Sequence, residues 1–127
     1  MIMTFSLSAT LKVDVSGIKS SRGDIYVGLF NNSKSFLTPK GVYRWVRLKA
    51  KRGKLSCKFR NLPEGRYAVA IFHDENRNEQ LDMGSMGFPT EGWALSGKVT
   101  VGMPVFEDCS FFVNPKKKYR IRLRMQY

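Results

Sequence analysis

Residues 119–126 read YRIRLRMQ, and this stretch decides the fold. Tyr119, Ile121, Leu123 and Met125 alternate with Arg120, Arg122 and Arg124. A period of two puts successive side chains on opposite faces of an extended chain. A helix could not gather those apolar residues on one side, because side chains two apart do not face the same way on it. The stretch therefore predicts a half-buried β-strand with its arginines in water.

The same period extends outward from it. Leu7, Ala9, Leu11, Val13 and Val15 share one face of a strand from Phe5 to Val15, ended by the turn Ser16-Gly17. Ile25, Val27 and Leu29 do so from Asp24 to Phe30. Val42 to Lys49 and Lys54 to Phe59 flank the basic turn Ala50-Lys51-Arg52-Gly53 and predict a hairpin. The turn at Asn61-Leu62-Pro63-Glu64-Gly65 leads into Arg66 to Phe72, which is apolar on both faces and suits a central strand. The long glycine-rich segment His73 to Pro104 predicts irregular chain with a short strand near Lys98 to Val101, and Met86, Phe88 and Trp93 as a lid over the core. Phe106 to Val113 and Tyr119 to Gln126 close the sheet. Short alternating runs with turns between them predict an all-β, immunoglobulin-like antiparallel β-sandwich of seven or eight strands, one domain over residues 1–127.

Composition agrees with a packed domain. The chain has 127 residues, 43% of them apolar and 25% charged, which excludes disorder, collagen and coiled coil. No apolar run reaches the roughly 18 residues of a membrane span. Met1 to Ala9 carries no basic region or cleavage site, so no signal peptide is predicted and a cytoplasmic location stays open. The two cysteines, Cys57 and Cys109, lack the CxxC spacing of a zinc site. They are either one disulfide, if the protein is exported, or two buried thiols acting as small hydrophobes.

Lysine plus arginine is 22 against 10 acidic residues, a formal charge of +12. Such a balance favours polyanionic partners: nucleic acid, acidic glycan or an anionic membrane surface. The candidate interface combines Arg120, Arg122 and Arg124 with Tyr43, Trp45, Arg47, Lys49 and Lys58, cations interleaved with aromatics; Lys116 to Lys118 extend the strip. One segment reverses the sign. Asp74, Asn76, Asn78 and Asp82 place oxygen side chains at alternate positions, as the first part of a calcium loop does, and the Gln80 carbonyl completes a candidate Ca²⁺ set. Glu79 stands where that loop takes glycine, and Ser85 where it takes a bidentate glutamate.

Catalytic signatures are lacking: there is no phosphate loop, GxGxxG, GxSxG or paired histidine. The lone His73 and the carboxylates of Glu91, Glu107 and Asp108 have no spacing that makes an acid–base pair. The chain is thus expected not to be an enzyme.

Several segments carry a resemblance. They are GIKSSRGDIYVGLFN (17–31), NLPEGRYAV (61–69), FHDENRN (72–78), Leu81-Asp82, GFPTEGW (87–93) and PVFED (104–108). In this order they resemble the bacterial family called domain of unknown function 2141, over about residues 11–125. The resemblance implies a small β-sandwich of transthyretin-like or carboxypeptidase-regulatory type, commonly exported to the periplasm or beyond, with no established activity. The family loop commonly has glycine at the position of Glu79. Two functions are therefore expected: a binding or structural module of the cell envelope with a Ca²⁺-type loop, or a polyanion-binding module working through a basic sheet face.

Overall fold

Ala9, Leu11, Val13 and Val15 are buried, while Thr10, Lys12, Asp14 and Ser16 between them reach outward. That alternation makes residues 9–18 a strand with one face on the core and the other in water, and the rest of the architecture follows from what pairs with it. The structure is a computed structural model that describes residues 8–38, 40–76, 91–97, 104–115 and 117–127.

The strands are β1 (Ala9–Ile18), β2 (Asp24–Phe30), β3 (Arg44–Lys49), β4 (Gly53–Leu62), β5 (Gly65–Asp74), β6 (Trp93–Leu95), β7 (Phe111–Val113) and β8 (Lys118–Arg124). One short helical turn, α1 (Phe106–Cys109), precedes β7. They form two sheets. The first has the order β4-β1-β8, and the second β3-β2-β5-β6, with β7 also on β5. A single cluster joins Leu11, Val13, Val15 and Phe59 of the first sheet to Ile25, Val27, Leu29, Val69 and Ile71 of the second. The protein is thus an all-β sandwich. Burial of each of these side chains contributes about 1.5–3 kcal/mol.

Most strands pair antiparallel, but β8 runs parallel to β1, from Thr10 opposite Lys118 to Ser16 opposite Arg124. The expected hairpin of β3 with β4 does not form. β3 pairs with β2 and β4 with β1, so residues 50–52 carry the chain from one sheet to the other. Both arms have a half-buried alternation, and that pattern fixes a strand's faces without fixing its neighbour. The strand expected over Phe106 to Val113 is likewise split: Phe106–Cys109 turn as a helix and only Phe111–Val113 extend. Phe106 and Cys109 are thereby buried together against Phe30 and Ala68, in a second, smaller cluster.

β6 and β7 share one edge of β5 end to end, at Ala70–Phe72 and Gly65–Tyr67. Ser96 fills the break. Its hydroxyl accepts the Val69 N–H at 2.8 Å and donates to the Cys109 carbonyl at 2.6 Å, and its own N–H donates to the Val69 carbonyl. Gly97, at φ +77°, lets the chain turn away here; a Cβ would lie 2.3 Å from the Asp108 carbonyl. Trp93 and Gln126 exchange two backbone hydrogen bonds, which tie the second sheet to the end of the first. Of the expected lid, Trp93 is part of β6, while Met86, Phe88 and the strand at 98–101 lie outside the described residues. Both cysteines are free, Cys57 against the main core and Cys109 in the smaller cluster. Burial pushes the Cys57 thiol up to about 11 and raises that of Cys109 as well.

Candidate binding face

The outer surface of the three-stranded sheet collects cations because three amphipathic strands lie in register. β8 contributes Lys118, Arg120, Arg122 and Arg124, and all four are exposed. β4 contributes Lys54, Lys58 and Arg60, with Ser56 among them. β1 runs between and adds Lys12 with Thr10, Asp14 and Ser16. Residues directly opposite on neighbouring strands share a face. Lys12 faces Lys58 on one side and Arg120 on the other, and Asp14 faces Ser56 and Arg122. Eight cations therefore surround a single carboxylate. Strands lie about 4.8 Å apart and same-face residues about 6.8 Å along each, so these charges are within mutual reach.

Asp14 is held by its neighbours. The Arg120 guanidinium hydrogen-bonds its carboxylate, and Lys12 Nζ lies 3.9 Å away. The Arg120 hydrogen bond keeps the Asp14 carboxyl below its ordinary range, against the smaller opposing effect of burial; the charges of Arg120, Lys12 and Arg122 add to it.

At the start of β1 the pairing slips. Ala9 faces Leu62 and Leu11 faces Phe59, so Thr10 opposes both Arg60 and Asn61 in a β-bulge. Asn61 takes φ +59°, a left-handed conformation that asparagine tolerates better than most residues. The bulge turns the Arg60 carbonyl toward β3, where Arg44 Nη1 donates to it at 2.5 Å. Beside the bulge, Thr10, Lys12, Lys58, Arg60, Lys118 and Arg120, with Tyr119, line a shallow cavity of about 380 Å³.

The predicted interface is thus divided. Arg120, Arg122, Arg124 and Lys58 meet on this face. Trp45, Arg47 and Lys49 are exposed on β3, in the other sheet, and Tyr43 just precedes them. Trp45 there joins an aromatic strip, its ring 5.9 Å from that of Tyr26, which stacks on Phe72 at 4.9 Å. Lys116 lies outside the described residues. Thr10 and Lys12, central to the basic face, escaped the sequence reading. The signal was the polar phase of β1, which reveals its meaning only once both neighbouring strands are known.

Polar residues of the predicted loop sit at the other end of the sandwich. Asp74 is fully buried at the end of β5 and Asn76 is exposed; Asn78, Gln80 and Asp82 lie outside the described residues. His73 is fully buried with both ring nitrogens engaged. A carbonyl only accepts, so Nε2 carries the proton donated to the Arg22 carbonyl at 2.6 Å. Nδ1 then accepts the Tyr127 hydroxyl at 2.7 Å, and that oxygen accepts the Lys19 N–H at 3.0 Å. Burial raises the Tyr127 phenol, the Lys19 hydrogen bond opposes the rise, and the charge of Glu75 adds to it. Glu91 accepts the Glu75 N–H at 2.8 Å. Burial pushes the Glu75 carboxyl up, but hydrogen bonds from Ser20 and Arg22 outweigh it and hold the group below its ordinary value. Glu107 and Asp108 are exposed on α1, which packs near the opposite end of β5. His73 and Glu91 thus share one cluster as strand-end braces, and the other two carboxylates stand apart from it.

Among the described residues no group of three or more histidine, cysteine or carboxylate side chains could hold a metal ion. No helix among them is long and apolar enough to cross a membrane. No curated protein and no solved structure matches the chain. The family comparison does match, over residues 13–121, which takes in β2 to β7 whole, β1 from Val13 and β8 to Ile121. The chain belongs to the family of uncharacterised proteins conserved in bacteria (DUF2141).

Proposed function

We propose that this protein is a non-catalytic binding module that holds an acidic glycan on the outer face of its three-stranded sheet. The observation that carries the reading is the register of β4, β1 and β8, which gathers eight lysines and arginines around one aspartate. Solvated sheet faces ordinarily mix the two signs of charge, and lysines that only guard an edge sit on edge strands. Here a cation also stands on the central strand, Lys12, between Lys58 and Arg120 of the outer two.

The choice among polyanions rests on what the face lacks. Between its cations stand Thr10, Ser16 and Ser56, hydroxyls suited to sugar oxygens and esters. Its outward positions carry no ring on which a base could stack; the ring at the cavity, Tyr119, belongs to the inward phase of β8, packs against the core and is held by the Asn114 N–H on its hydroxyl, whereas stacking is the main grip of single-strand nucleic-acid binders. The outward rings are on the other sheet, at Trp45 and Tyr26. The export that the family resemblance implies agrees with a glycan of the bacterial cell envelope.

Binding of the full chain to labelled heparin, measured against salt, tests the proposal. Association should weaken steeply with salt, because each neutralised anionic group releases a counterion. Oligothymidylate and anionic vesicles serve as competitors. Heparin should be the stronger ligand at equal charge. Tighter binding of either competitor, or heparin binding indifferent to salt, would count against the assignment.

A further inference from the structure

We infer that the cavity beside Thr10 is an oxyanion cradle, built for a phosphate or sulfate ester on the glycan rather than for a carboxylate. The inference rests on the proposed glycan-binding role and names the group that the face recognises. Two rungs of the sheet form the cradle. Lys58, Lys12 and Arg120 make one, and Arg60, Thr10 and Lys118 the other. Five cations thus enclose one hydroxyl in a patch about two strands wide and one same-face step long, roughly 10 by 7 Å.

Elsewhere on the face the same chemistry is looser. Toward Ser16 and Lys54 the cations come from the two outer strands only, and β1 contributes no charge beyond Asp14. Two further observations single out the Thr10 end. The β-bulge lies there, and bulges commonly re-aim side chains beside functional sites. Through it Arg60 and Asn61 together oppose Thr10, which brings Arg60 to the cavity wall. The surface is also concave there.

A planar carboxylate carries one charge on two oxygens. A tetrahedral ester has three terminal oxygens, and as a phosphate monoester it carries close to two charges. A carboxylate can also reach both rungs, but the tetrahedral group offers an additional oxygen and, as phosphate, nearly twice the charge: the Arg60 fork and the Arg120 Nη groups left over by Asp14 take separate oxygens, with the ammonium groups of Lys12, Lys58 and Lys118 around them and the Thr10 hydroxyl donating at the centre. Asp14 stands one same-face step outside, held by Arg120 Nε and Lys12.

The test titrates the full chain with inorganic phosphate, sulfate and acetate at one low ionic strength, following backbone amide shifts. Phosphate or sulfate should give saturable shifts at Thr10, Lys12 and Arg120, at least tenfold tighter than acetate. Which of the two binds tighter identifies the ester. The pair Lys12→Gln with Lys118→Gln should weaken that binding at least tenfold, and the pair Lys34→Gln with Lys51→Gln, exposed residues off this face, less than twofold. Equal losses from both pairs would mean a diffuse field and would overturn the cradle. So would acetate binding as well as phosphate, or polygalacturonate binding as tightly as heparin; the glycan-binding role would survive both results. Failure of heparin and polygalacturonate alike would remove the role itself.

Discussion

Asp14→Asn should make the protein bind acidic polymers more tightly. Among the described residues Asp14 is the only carboxylate on the basic face, one same-face step from Lys12, with the cavity lying between Lys12 and Thr10. A bound anionic group seated midway between the Lys12 and Thr10 rungs lies about 10 Å from the Asp14 carboxylate. Repulsion across that distance is about 0.4 kcal/mol at the dielectric of water and about 1.7 kcal/mol at an effective value of ~20. The site is open, so the lower figure governs, and it amounts to about a twofold change in affinity. The substitution also frees the Arg120 guanidinium, which now spends a hydrogen bond on Asp14. Together these give an expected gain of about two- to fivefold. Fluorescence anisotropy with labelled heparin, near 0.01 M ionic strength where screening reaches only beyond about 30 Å, measures it. The loss of stability should be small, about 0–1 kcal/mol, because Arg120 is half exposed. Acid should mimic the substitution. The Asp14 carboxyl lies below its ordinary 3.8 in the folded protein, so its contribution to stability is complete above that value and is lost as pH falls through the folded pKa. Sulfated polymer should then bind wild type more tightly as Asp14 protonates, and Asp14→Asn should lack this step. Binding that is unchanged or weaker in Asp14→Asn would mean that Asp14 does not oppose the bound anion.

Ser96→Ala should lower stability by about 1–3 kcal/mol, since the buried Val69 N–H and Cys109 carbonyl both lose a partner; thermal unfolding should move down by roughly 3–5 °C per kcal/mol. Tyr127→Phe should also destabilise, because the buried His73 Nδ1 loses the hydroxyl proton it accepts. The raised Tyr127 phenol adds a pH signature. Its stabilisation is complete below the ordinary value of 10.0 and is lost as pH rises through the folded pKa, so wild type should lose stability in base faster than Tyr127→Phe. Cys57, with its thiol pushed up to about 11, should react with thiol reagents at pH 8 only as the chain unfolds, because about one part in a thousand is thiolate there. Rapid labelling of the folded protein would contradict the half-buried placement of Cys57 against the core.

How far the sequence could be read depended on what each pattern constrains. Alternation in β8 assigned Tyr119, Ile121 and Leu123 to the core side and Arg120, Arg122 and Arg124 to water, and they stand so. The ends of β2 were legible as well, because turn residues bound it on both sides. Strand partners were not legible. β3 and β4 are amphipathic arms around a turn, a pattern shared by a hairpin and by a crossing between sheets, and only packing chose the crossing. That choice moved Trp45, Arg47 and Lys49 away from Arg120, and put Lys12 in their place. Phe106–Cys109 coiled rather than extended because both Phe106 and Cys109 reach one apolar pocket with Phe30 and Ala68. The polar constellation around His73 was half legible, as the HDE run, but its partners Tyr127, Arg22 and Glu91 are distant in sequence.

The most direct measurement of the central claim is a map of where a heparin oligosaccharide touches the full chain, from amide shift changes during titration. The account predicts saturable changes on β1, β4 and β8, at Thr10, Lys12, Lys58, Lys118, Arg120 and Arg122, and loss of binding in an Arg120→Ala, Arg122→Ala, Arg124→Ala triple variant. Changes centred on Tyr26, Trp45 and Arg47, with binding intact in the triple variant, would contradict it.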